Sequence, residues 1–138
     1  MITIEELLKG KKLEDLSGKV RYNLHVLVDR LNVIREAYGK PMMVTSGFRS
    51  REDHLRIYKE LAVKRHIEFN EEEIPWGSQH LTGAAADIAD PLGVLHIWCM
   101  ANIPILEETC LWIEAKDDQP RVHFQINPPK SGSRVFKP

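Results

Sequence analysis

Apolar residues recur at three- and four-residue steps along one stretch of this chain: Leu24, Leu27, Val28, Leu31, Ile34 and Tyr38. That spacing lays a single stripe along a helix. It predicts a helix from about Ser17 to Tyr38, stopped by Gly39-Lys40-Pro41. Ahead of it, Thr3-Ile4-Glu5-Glu6 reads as a capping box that opens a short helix ending near Gly10. Lys11 to Asp15 reads as a polar connection. After the long helix, Met42 to Thr45 reads as a short buried strand. Ser50 then caps a helix through about Lys64, with Leu55, Ile57, Tyr58, Leu61 and Ala62 as its inward set. The acidic run Glu68 to Glu73 reads as a solvated loop. Pro75, Gly77 and Gly83 punctuate a loop that enters a strand, Ala84 to Ala89. Asp90 and Pro91 suit the N-cap and first turn of another helix, which should end before Pro104.

The pattern changes period in the C-terminal third. Leu111 and Ile113 alternate with Trp112 and Glu114; Val122, Phe124 and Ile126 alternate with His123 and Gln125. Period-two alternation is the mark of half-buried strands. Turning both apolar sets toward a core forms a hairpin with its turn at 115–120 and puts Glu114 and His123 on the same side. The tail from Ser131 is expected to run extended and be tied down by Val135 and Phe136.

Composition adds limits. The 138 residues suit one domain, with its core at about 17–127 and a tail at 128–138, and 43% hydrophobic content suffices for a core without disulfides. A net charge of -1 argues against a dedicated nucleic-acid binder. No apolar run approaches the ~18–20 residues that span a bilayer. The opening Met1-Ile2-Thr3-Ile4 lacks the basic start and apolar middle of a signal peptide, so synthesis in the cytoplasm and a monomeric protein are expected. Cys99 and Cys110 are read as buried free thiols.

Chemistry concentrates in Ser78-Gln79-His80-Leu81-Thr82-Gly83-Ala84-Ala85-Ala86-Asp87. Imidazole and carboxylate both suit zinc, at about 2.0–2.2 Å. His123, far downstream on the polar side of a strand, supplies a third candidate. Three protein ligands leave a coordination position open for water, as catalytic zinc sites do. The other histidines, His25, His54, His66 and His96, carry no partner signal and are read as structural or solvated.

With Ser46-Gly47-Phe48-Arg49-Ser50 ahead of a helix, the pattern His80, Gly83, Ala85, Asp87 after it, and Val122-His123-Phe124 at the end, residues 20–127 resemble one family. It is the zinc D-Ala-D-Ala carboxypeptidase and L-alanyl-D-glutamate peptidase family, of hedgehog/DD-peptidase fold. The resemblance implies an α+β domain whose small antiparallel sheet carries the metal site, with helices packed on it. It implies one Zn²⁺ on His80, Asp87 and His123, and Arg49 as the cation for a substrate carboxylate or oxyanion, with Ser46 beside it. It also implies a peptidoglycan stem peptide as substrate, cut by an endolysin-like, phage-type enzyme acting on the cell wall. One position departs: many relatives carry the general-base carboxylate three residues before the last histidine, and here Pro120 stands there. Glu114, on the His123 side, is the candidate base, or else an acceptor for the spare N–H of a zinc-bound histidine. Asp117 and Asp118 suit solvated turn residues, and Trp112 is open to two roles, a wall of the site or plain packing. A non-catalytic zinc-stabilised binding domain and an intracellular D-amino-acid dipeptidase remain alternatives.

Overall fold

The computed structural model describes residues 1–138. Five helices and five strands follow in the order α1 (Ile4–Leu8), α2 (Gly18–Tyr38), β1 (Val44–Ser46), α3 (Arg51–Lys64), β2 (Ala85–Ala89), α4 (Val94–Ala101), α5 (Ile103–Thr109), β3 (Trp112–Glu114), β4 (Arg121–Gln125) and β5 (Val135–Phe136). The class is α+β, and the strands form one sheet in the order β1-β2-β4-β3-β5. The sheet is mixed rather than purely antiparallel: the tail doubles back so that β5 lies parallel to β3. Phe136 is buried there, which ties the tail down as its apolar residues suggest.

Local signals set the helix starts. Thr3 and Glu6 form the capping box of α1. Ser17 and Ser50 accept backbone N–H groups of the first turns of α2 and α3, satisfying donors that have no partner within the helix. The α2 stripe is buried through Leu24, Leu27, Val28, Leu31 and Ile34 against one face of the sheet, where Ile88, Ile113, Val122 and Phe124 meet it. Leu7 and Leu8 of α1 join this core, which therefore begins well before residue 17.

Four expectations need correction. The helix after β2 starts at Val94, not at Asp90. Asp90 still serves it, accepting from Leu95 N and His96 N, both at 2.9 Å, across a turn closed by Gly93. A second helix, α5, follows at once with Pro104 in its first turn, where a missing N–H costs nothing. On α3 only Ala62 of the expected inward set is buried; Leu55, Ile57, Tyr58 and Leu61 are half-exposed, and the residue at 0% exposure is His54. Its ring lies between Tyr58 and Trp76, with Nε2 3.1 Å from the Pro75 carbonyl, so α3 buries its inner side against segment 74–76 and adds nothing to the main core. Cys99 is buried, its thiol pushed up to about 12 by burial and then by Asp90, but Cys110 is exposed. Cys110 adopts a left-handed conformation at the end of α5, which turns it outward.

Candidate metal centre

Strand alternation builds the site. In the antiparallel pair β2–β4, Asp87 stands opposite His123, Ala85 opposite Gln125, and Ala89 opposite Arg121. Ser46 of β1 pairs with Asp87 from the other side. Since Ile88, Val122 and Phe124 point into the core, the residues between them point to the opposite face. That face carries Ser46, Asp87, Arg121, His123, Gln125 and, from β3, Trp112 and Glu114.

His80 reaches the same face from a single 3-10 turn, Gln79–Thr82, just before β2. Gly83 ends the turn at φ 72°, and a Cβ there would lie 3.0 Å from Leu24 and 3.1 Å from the Val20 carbonyl. Glycine is thus required both for its backbone angle and for the close approach to α2. Asn23 of α2 donates to the Thr82 carbonyl at 2.9 Å and fixes the turn against the helix.

The three expected ligands come together. Asp87 Oδ1 lies 3.4 Å from His80 Nε2 and 3.0 Å from His123 Nδ1, and one donor atom from each residue falls within 4.8 Å of the others. All three residues are buried. Ligands at about 2.0–2.1 Å from a tetrahedral zinc ion are about 3.3 Å apart. The two histidines are also set in the form a metal needs. His80 Nδ1 donates to the Gly47 carbonyl at 2.8 Å, leaving the Nε2 lone pair toward Asp87. His123 Nε2 donates to Gln125 Oε1 at 2.8 Å, leaving Nδ1 inward. Gln125 in turn donates to the Asn127 carbonyl at 2.8 Å, and Asn127 donates to Gln79 Oε1 at 2.8 Å. Such outer partners orient ligating imidazoles and raise their basicity. By chemistry and spacing this group could hold a metal ion.

Electrostatics favour the carboxylate as an anion. Burial alone would raise the Asp87 carboxyl, but the imidazoles of His123 and His80 beside it hold it well below the usual carboxylate range. Burial pushes His80 down despite Asp87, with Arg49 and His123 adding to the depression. His123 is also penalised by burial, yet the bond to Asp87 and the charges of Asp87 and Glu114 raise it. The two imidazoles are thus shifted in opposite directions around one carboxylate.

No family model, curated protein or solved structure matches the chain.

Arg49 lies beside the cluster. Its Nη2 lies 3.6 Å from Asp87 Oδ2, its Nε donates to Ser46 Oγ at 3.1 Å, and its backbone N–H donates to the His80 carbonyl at 3.0 Å. Ser46 thus steadies Arg49. Glu114 is on the same face, with Oε1 3.9 Å from His123 Nε2, the nitrogen turned away from Asp87. The N–H of that nitrogen goes to Gln125, so Glu114 is not its acceptor. Trp112 stacks under the Arg134 guanidinium at 4.3 Å, beside Gln125 in the register. Asp118 is exposed, and Asp117 accepts from Gln119 N and lies 3.8 Å from Arg121. His25 and His66 are exposed and His96 is half-buried, apart from the cluster.

Sequence reasoning missed Arg121. Its guanidinium reaches Asp87 Oδ2 at 3.7 Å, Glu114 Oε2 at 3.1 Å and Asp117 at 3.8 Å. The signal was available: Arg121 is two residues before His123, hence on the same face of the strand.

Proposed function

We propose that this chain is a zinc-dependent peptidase of the hedgehog/DD-peptidase fold. Its substrates are peptidoglycan stem peptides, cut as by a D-Ala-D-Ala carboxypeptidase or an L-alanyl-D-glutamate endopeptidase, in phage-type wall lysis. The observation that carries this reading is the buried His80–Asp87–His123 cluster, its imidazoles oriented by Gly47 and Gln125, with Arg49 and Glu114 on the same sheet face. When bound there, zinc supplies a Lewis acid for the scissile carbonyl and lowers the pKa of a coordinated water. Glu114 takes a proton from the attacking water and returns it to the leaving amine. Arg49 holds the substrate carboxylate or stabilises the developing oxyanion, an effect on the order of a few kcal/mol. The resemblance in motif order, not the geometry, supports stem peptide as the substrate.

The test is mass spectrometry of purified peptidoglycan after digestion, with and without a chelator. New peptide termini should appear, vanish with chelator, and fall by about 10²–10⁴-fold in Glu114→Gln. Zinc binding with no cleavage of wall or of free dipeptides would sink the enzyme reading. A second reading, a non-catalytic zinc domain, is favoured by Pro120 and by the occupied Oε2 of Glu114, which already accepts from Arg121 at 3.1 Å. Cleavage of free D-Ala-D-Ala but not of intact wall would instead point to a dipeptidase.

A further inference from the structure

We propose that Arg121 is the positioning residue of this centre, its guanidinium turning the carboxylates of Asp87 and Glu114 into their working orientations together. The inference rests on the peptidase reading for the role of Glu114, but not for the role of Asp87. Two carboxylates lie on the site face with side chains only 8% and 13% exposed, and they would repel each other without a shared cation. Arg121 touches both. Its Nη1 engages Glu114 Oε2 at 3.1 Å and leaves Oε1 on the His123 side, 3.9 Å from Nε2. Its Nε lies 3.7 Å from Asp87 Oδ2, the oxygen that Arg49 approaches at 3.6 Å from the other side. Two cations on Oδ2 leave Oδ1 as the oxygen facing His80 and His123. The arrangement also accounts for Pro120: the carboxylate comes from the neighbouring strand, and a cross-strand tie must aim it. Only a planar fork of several donors serves two carboxylates in this way.

The experiment measures zinc affinity by chelator competition, and kcat and KM on peptidoglycan fragments at saturating zinc, for Arg121→Met, Arg121→Lys, Glu114→Gln and the Met/Gln double variant. Arg121→Met should weaken zinc binding by about 10-fold, within the range typical for groups that orient ligands. It should lower kcat by about 10–100-fold and leave KM within about threefold, as expected for loss of an aligned base. Arg121→Lys should recover part of both. In the double variant, kcat should match Glu114→Gln to within about threefold, since Arg121 then has no base left to aim. Zinc affinity unchanged in Arg121→Met, or losses in kcat that multiply in the double variant, would overturn the proposal. If the natural protein cleaves nothing, the peptidase reading fails and zinc affinity alone decides Arg121. If Arg121→Met does not fold, an intermediate zinc affinity in Arg121→Lys supports the role and an unchanged one refutes it.

Discussion

One strand, β4, builds two regions that obey different rules. Val122 and Phe124 face the core, and Arg121, His123 and Gln125 face the site. The core face is non-directional. Phe124 packs among Ile88, Ile113 and the α2 leucines, and its contribution follows the apolar area it removes from water. The site face is directional, and its side chains are held by named polar neighbours: His123 by Gln125, Gln125 by Asn127, Asn127 by Gln79. Asp87 alone meets His80, His123, Arg49 and Arg121. Stability resides on the first face and geometry on the second, one residue apart.

Substituting neighbours should separate them most sharply. His123→Ala removes one of three ligands, so zinc affinity should fall by on the order of 4 kcal/mol, roughly one ligand's share of a protein zinc site, and hydrolysis should vanish with it. Its effect on the metal-free protein in urea should be the smaller of the pair. Phe124→Ala should do the reverse, costing about 3–5 kcal/mol in urea unfolding while the folded fraction still takes up one zinc ion per chain. If Phe124→Ala abolishes zinc uptake in protein that remains folded, the two faces are not separable.

Gly47 is where the separation should break. Its carbonyl orients His80, and its backbone lies against α1: a Cβ there would come within 2.3 Å of the Leu7 carbonyl oxygen. The neighbouring Phe48 N–H donates to that same oxygen at 2.8 Å. Gly47→Ala should therefore cost about 1–3 kcal/mol in stability, as overpacking does, and weaken zinc binding as well. Full zinc affinity in a destabilised Gly47→Ala protein would show that the His80 tautomer does not depend on this carbonyl.

What the amino-acid order made legible follows the same division. The α2 stripe, the Ser50 cap and the alternation of β4 are local, and the structure matches them. The spacing of His80 and Asp87 and the strand position of His123 make them candidates, and the motif order of the resemblance joins them into one set, which the structure brings together. Strand spacing puts Arg121 on the His123 face but does not reveal its pairing across strands, with Glu114 on β3 and Asp87 on β2. His54 reads as structural or solvated, and helical periodicity, which counts apolar residues, does not show that it is the buried one. Burial on α3 instead falls on the face that meets Trp76 and Pro75. Asp90 caps α4 from beyond a turn, so the expected helix start fell several residues early.

Acidity should give the finest distinction between the faces. In the metal-free protein the folded-state pKa of His123 is raised, against burial, by its bond to Asp87 and by the charges of Asp87 and Glu114. A raised histidine contributes stability that is complete below its unfolded value, ~6.5, and is lost as pH rises through the folded value. The destabilisation caused by His123→Gln, measured with chelator present, should thus be greatest near pH 5 and shrink toward pH 8. Phe124 carries no proton, so the cost of Phe124→Ala should stay flat over the same range. His80 is shifted the opposite way and is present in both proteins, so it cancels to first order in each difference from the parent. A His123→Gln penalty that stays flat, or grows with pH, would mean that the Asp87 carboxylate does not hold a protonated His123 on the site face.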